Sequence, residues 1–78
     1  MPDEIYFLCL LHNIGAISSE KSMSIEEISQ WTVMEPQKVR ENLDKLISTQ
    51  YIQKTYRDGS ERYHVTINGI RKVLSMYS

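Results

Sequence analysis

The sequence predicts a mainly helical α+β domain in which short amphipathic helices surround one β-hairpin. Three observations carry this expectation. Ser24-Ile25-Glu26-Glu27 and Thr66 have the capping chemistry of helix starts, and Glu35-Pro36 places a proline at a first helical position. Asp58-Gly59 is a tight-turn dipeptide set between two runs of strand-forming residues.

The 78 residues, 41% of them apolar, suffice for a single small core that would bury about 60% of the unfolded surface. The first helix is expected over 3–14, starting near Asp3 and stopping at Asn13-Ile14-Gly15, where glycine can take the left-handed conformation. Residues 16–21 then form a loop. The second helix is expected over 24–32. Ser24 caps the Glu27 amide, Glu27 reaches back, and Met23 staples to Ile28. Thr32-Val33-Met34 makes a tight connection to the third helix, 35–49, with Pro36 at its first position and Met34 placed against Val39.

Val39, Leu43, Leu46 and Ile47 share one face of this third helix, which leaves Gln37, Glu41, Asp44 and Ser48 opposite and Lys38, Arg40 and Lys45 on the flanks. The hairpin is expected over 51–65. With Asp58 and Gly59 as its two loop residues, Ile52 pairs with Val65 and Lys54 with Tyr63 on a face that closes the core. Gln53, Thr55, Arg57, Arg62 and His64 share a polar outer face. Thr66 caps the last helix, 66–77, whose apolar stripe is Ile70, Val73, Leu74 and Tyr77. Gly69 in its first turn costs about 1 kcal/mol relative to alanine, which implies close packing against the hairpin. The order α-(β)-α-α-β-β-α is that of a winged helix-turn-helix.

The residues also resemble the winged-helix transcription regulators of the MarR, ArsR and PadR type. The resemblance rests on Ile28-Ser29, Thr32-Val33-Met34 and the Val39, Leu43, Leu46 spacing, followed by Ile52, Asp58-Gly59 and Tyr63-His64-Val65-Thr66-Ile67-Asn68-Gly69. It implies a protein that binds double-stranded DNA, with the third helix in the major groove and the hairpin as a wing on the backbone or minor groove. Val33 and Gln50 stand where such proteins often carry glycine, and Glu35 replaces the usual serine or aspartate cap.

Charge is distributed in keeping with that expectation. The net charge is −1, but residues 1–35 carry six carboxylates against Lys21, a balance of −5, and residues 36–78 carry eight cations against four carboxylates, a balance of +4. The candidate DNA-binding residues are Gln37, Lys38, Arg40, Glu41 and Lys45 on the third helix, with Arg57 and Arg62 on the hairpin. Gln37 can read adenine through two hydrogen bonds, and Lys38 can read guanine or a phosphate. Two plainer readings stand beside these. Lys38, Glu41 and Lys45 can form intrahelical pairs on a solvated face, and Asp58 and Glu61 can pair with the hairpin arginines. Glu41 and Asp44 oppose phosphate contact, so a winged helix used for protein–protein contact is the second reading of function.

In the first helix, Ile5, Leu8 and Cys9 make one apolar face, while Phe7, Leu10 and Leu11 point elsewhere. Apolar side chains on both sides predict a homodimer interface built from Ile5, Phe7, Leu10 and Leu11, with Val73 and Tyr77 alongside. The alternative is that this helix is the central core helix. Cys9 and His12 lie three apart without completing a metal site, and a buried thiol is the expected role of Cys9. Trp31, Tyr51, Tyr56 and Tyr63 are expected mostly in the core or at its rim rather than as stacking platforms for single strands. No phosphate loop, dinucleotide fingerprint, zinc-protease pair or nucleophile elbow occurs, so neither enzyme activity nor a cofactor nor a metal is expected. The run Ile5 to Leu11 is too short to span a bilayer, and the chain is expected to be cytoplasmic.

Overall fold

In the computed structural model, which describes residues 2–77, four helices pack around one hairpin. They are α1 (Asp3–Asn13), α2 (Ile25–Thr32), α3 (Pro36–Ser48), β1 (Ile52–Arg57), β2 (Ser60–Val65) and α4 (Ile67–Ser75), with a single 3-10 turn at Ser19–Lys21 before α2. Local chemistry explains most of the ends. Gly15 follows α1 at φ 91°. Both halves of the expected capping box are present at α2: Ser24 Oγ accepts from the Glu27 N–H, and Glu27 Oε1 accepts from the Ser24 N–H. Pro36 opens α3 without a side-chain cap from Glu35. Thr66 Oγ1 accepts from the Gly69 N–H and donates to the Gln50 carbonyl, which ties α4 to the end of α3.

Val33 and Gln50, the two positions where glycine was expected, are left-handed at φ 57° and 67°. The turn geometry is therefore kept without glycine, at about 1–2 kcal/mol each, and Val33 is the more strained because it is β-branched.

The hairpin has the expected register, Ile52↔Val65 and Lys54↔Tyr63, closed by Asp58 and Gly59 at φ 52° and 77°. These two positive angles are those of the turn whose twist matches that of the strands. Met23 adds one antiparallel bridge to Tyr63 on the far side of β2, and the Val65 N–H donates to the Ala16 carbonyl. The segment after α1 thus pairs along the outer edge of β2 at the base of the hairpin. The hairpin's outer face is less open than expected: His64 is 9% exposed and Arg62 is partly buried.

The core joins Phe7, Leu8, Cys9 and Leu11 of α1 to Ile28, to Val39, Leu43 and Leu46 of α3, to Ile52, Tyr63 and Val65 of the hairpin, and to Val73 of α4. Each fully buried aliphatic side chain contributes about 1.5–3 kcal/mol. Gly69 sits where a Cβ would lie 2.3 Å from the Tyr51 carbonyl oxygen and 2.6 Å from Val65, so the close packing expected there is present.

Two expectations are corrected by the packing. Phe7, Leu11 and Val73 are wholly enclosed in the chain's own core and present no surface to a partner. The reason is that α1 packs against α3, β2 and α4, which cover it on more than one side. Trp31 and Tyr56 are exposed rather than core residues, at 65% and 71%. Helix α2 is only two turns long and fully buries Ile28 alone, and Tyr56 lies near the hairpin tip, beyond the reach of the core.

Candidate nucleic-acid interface

Helix α3 is positioned by Val39, Leu43 and Leu46, each no more than 1% exposed. With that stripe buried, Gln37, Lys38, Arg40, Glu41, Asp44 and Lys45 are all exposed. Asn42, which the apolar pattern did not single out, is also buried and donates through Nδ2 to the Lys38 carbonyl one turn back. Five of the seven candidate residues therefore share one exposed helix. Arg40 lines a cleft of about 220 Å³ between the start of α2 and the hairpin tip, flanked by Glu26 and Glu61. Its charge is partly offset there.

The hairpin cations are held differently. Arg57 is exposed, yet its guanidinium donates to the Ser19 carbonyl at 2.9 Å and the Glu20 carbonyl at 3.5 Å. Arg62 donates to the Ser22 carbonyl from Nη2 at 2.7 Å and from Nε at 3.2 Å, and Nη2 pairs with Glu27 Oε1 at 2.9 Å. Both arginines brace the hairpin against the loop that precedes α2. Their partners are 35 to 40 residues away in sequence, whereas the pairing expected with Asp58 and Glu61 was local. Glu27 is held below the ordinary carboxylate range, first by the Ser24 backbone N–H and then by Arg62.

Lys54 is a cation that the reading of motifs passed over. It pairs with Glu61 at 3.4 Å, and Glu61 also accepts from the Tyr63 hydroxyl at 3.2 Å. These contacts lower the Glu61 pKa and raise that of Lys54. The signal was available, because the two-residue turn already placed Lys54 on the Tyr63 face.

Cys9 is buried in the core, and among the described residues no group of three or more His, Cys, Asp or Glu could hold a metal ion. No helix among the described residues is long and apolar enough to cross a membrane. The exposed apolar residues include Tyr6 on α1 and Leu74 and Tyr77 on and beyond α4, while Ile5 and Leu10 are half-buried.

No protein-family model matches the chain, and no curated protein matches it in sequence. Solved structures match its shape throughout. The solution structure of the DNA-binding TubR fragment from Clostridium botulinum is 24% identical with a TM-score of 0.81, over 95% of this chain and 93% of that one. TubR from Bacillus megaterium pBM400 is 18% identical with a TM-score of 0.81, over 99% and 87%. The chain has the winged-helix fold. Bordetella bronchiseptica BpsR, whose DNA binding is regulated by 6-hydroxynicotinic acid, is 17% identical with a TM-score of 0.79, over 97% of this chain but 52% of that one.

Proposed function

We propose that this protein is a cytoplasmic transcription regulator of the MarR-like winged-helix type that binds double-stranded DNA as a homodimer. The observation that carries the reading is the exposed face of α3, where Gln37, Lys38, Arg40, Glu41 and Lys45 stand clear of the core on a helix anchored by three buried residues. The N-terminal part of α3 would reach base edges in the major groove, and Arg57 and Lys54 would add charge along the backbone beside it. Arg62, already paired with Glu27, would contribute less to the DNA than to the position of the hairpin. The solved DNA-binding TubR fragment of the same fold supports this assignment.

The partner surface proposed for the homodimer is the exposed set Tyr6, Leu74 and Tyr77 with half-buried Ile5 and Leu10. Tyr6 and Leu10 are four apart and Leu74 and Tyr77 three apart, so each pair can share a side of its helix or helix end. A two-fold dimer would set two α3 helices about 10 base pairs apart, so the preferred site is an inverted repeat of roughly that spacing.

The test is binding to duplex DNA at two salt concentrations. Affinity should fall steeply with salt, and Lys38→Ala, Arg40→Ala or Lys45→Ala should each lower the salt slope by about one unit if that residue contacts a phosphate. Gln37→Ala should erode discrimination at one base pair per half-site by about 1–3 kcal/mol. Arg57→Ala should weaken all sequences alike, and Arg62→Ala should do so to a smaller degree. If they leave affinity and slope untouched in a folded protein, the hairpin is not a DNA-binding wing. The second reading, a protein-interaction module, is favoured by the engaged arginines and by the carboxylates of Glu26 and Glu61 beside Arg40. Failure to bind duplex at low salt would select it.

A further inference from the structure

The outer side of α2 carries an uncovered apolar knob. Ile28 is the one residue of this helix that is fully buried, so Glu26, Glu27, Gln30 and Trp31 share the opposite, exposed side, with Trp31 one turn after Glu27. Val33 follows, 91% exposed while it holds φ 57°. A β-branched side chain in that conformation is strained, and at this exposure its own packing within the chain does little to offset the strain. Helix α2 has two carboxylates and no lysine or arginine, which disfavours a phosphate backbone as the surface that covers it.

A groove of about 450 Å³ lies where the loop after α1 meets the base of the hairpin and the start of α4. Ile17 and Ile67, both exposed, give it apolar surface, and no carboxylate, lysine or arginine lines it. Arg71 stands one turn beyond Ile67 on the same side of α4, exposed and in no ion pair among the described residues. Helix α4 has two cations and no carboxylate, the reverse of α2.

We propose that knob and groove are the two halves of one contact between copies of this chain: Trp31 of one copy seats between Ile17 and Ile67 of the next, with the acidic side of α2 beside Arg71. A tryptophan set in an apolar recess is a common energetic centre of protein contacts, and the opposite charges of the two helices fix its orientation. The net charge of −1 leaves little repulsion between copies to oppose it. Because the two surfaces differ, the contact is heterologous and each copy keeps a free knob or a free groove, unlike a two-fold dimer. It uses none of the α3 candidates and does not rest on DNA binding.

Trp31 is the only tryptophan, so its fluorescence reports on the knob alone. In the intact chain without DNA, raising the concentration from about 1 µM to about 1 mM should shift the emission to the blue and reduce quenching by acrylamide, with a Kd on the order of 100 µM, as suits a small interface. High salt should weaken the contact. Trp31→Ala and Ile67→Glu change exposed side chains, and the latter puts a carboxylate in the first turn of α4, so both should fold. Each alone should abolish sedimenting species larger than a dimer. Adding the Trp31→Ala chain, which lacks tryptophan but keeps the groove, to the Ile67→Glu chain should restore the blue shift, and Tyr77→Glu should leave the wild-type shift intact. The proposal is overturned if wild-type emission is constant up to about 1 mM, which would leave the knob to a different protein. It is equally overturned if Ile67→Glu associates as the wild type does, if the mixture shows no shift, or if Tyr77→Glu removes the shift and so returns the contact to the dimer face.

Discussion

Helices α1 and α4 pack against each other, but the chain absorbs one almost completely and the other only in part. Phe7, Leu8, Cys9 and Leu11 of α1 are all buried, whereas on α4 only Gly69 and Val73 are, with Leu74 at 54% exposure and Tyr77 beyond it at 67%. Apolar content does not separate them, since α4 has a clear apolar stripe and α1 has apolar residues nearly all round. What separates them is the number of neighbours. Helix α1 packs chiefly on α3, β2 and α4, whereas α4 packs chiefly on α1 and β2. A helix apolar on both sides is therefore largely a core helix here, with Tyr6 left exposed on it, and the end of α4 leaves Leu74 and Tyr77 exposed.

The largest effect that would test this contrast is the loss of the fold. Phe7→Glu or Leu11→Glu should unfold the chain, costing more than about 4 kcal/mol, because each places a charge in a fully enclosed site. Thermal melting would read it. A folded Phe7→Glu monomer would mean that α1 faces a partner after all.

Gly69→Ala should cost about 1–2 kcal/mol net. The new methyl would press on the Tyr51 carbonyl and Val65, a strain of about 1–3 kcal/mol, and the gain in helix propensity offsets up to about 1 kcal/mol of it. Denaturant unfolding that shows no loss would mean that α4 is loosely seated.

The hairpin and its contacts with α2 should also respond to acid. The His64 pKa is lowered by burial below its usual 6.5, so below pH 6.5 the unfolded chain binds more protons than the folded one. Stability is then retained in full above about pH 6.5 and declines as the pH falls through the folded value. Glu27 and Glu61, lowered from 4.5, add a second decline below pH 4.5. Urea midpoints taken from about pH 2 to pH 8 should show both, and His64→Gln should remove the upper one.

The smallest effect on folding belongs to the end of α4. Leu74→Glu and Tyr77→Glu should change stability by less than about 0.5 kcal/mol. Sedimentation should nonetheless shift from dimer to monomer if this end of α4 is the partner surface proposed above. A wild-type chain that is already monomeric at tens-of-micromolar concentration would remove that surface from consideration.

The hairpin illustrates how legible the chain was, and where legibility stopped. Its register followed from Asp58-Gly59 alone, because a two-residue loop leaves one pairing between Ile52 and Val65. Its outer face did not follow, because the segment that accepts the Arg57 and Arg62 hydrogen bonds lies 35 to 40 residues earlier in the chain. On α3 the exposed candidates were readable from the spacing of Val39, Leu43 and Leu46, whereas the flanking of Arg40 by Glu26 and Glu61 required the hairpin tip to approach α2.

By itself the sequence determined the features whose partners lie within a few residues: the capping box at Ser24 and Glu27, the Thr66 cap, the proline start of α3, the buried stripe of that helix and the pairing of the strands. These rest on helix and strand geometry, which repeats over three, four or two positions and needs no knowledge of the rest of the chain. Only the tertiary structure decided that Phe7 and Leu11 are interior, that the hairpin arginines are engaged, that Trp31 is exposed, and that Val33 and Gln50 hold left-handed turns without glycine. Burial and engagement depend on which distant elements converge on a residue, and packing repays the local strain that sequence preferences alone would have forbidden.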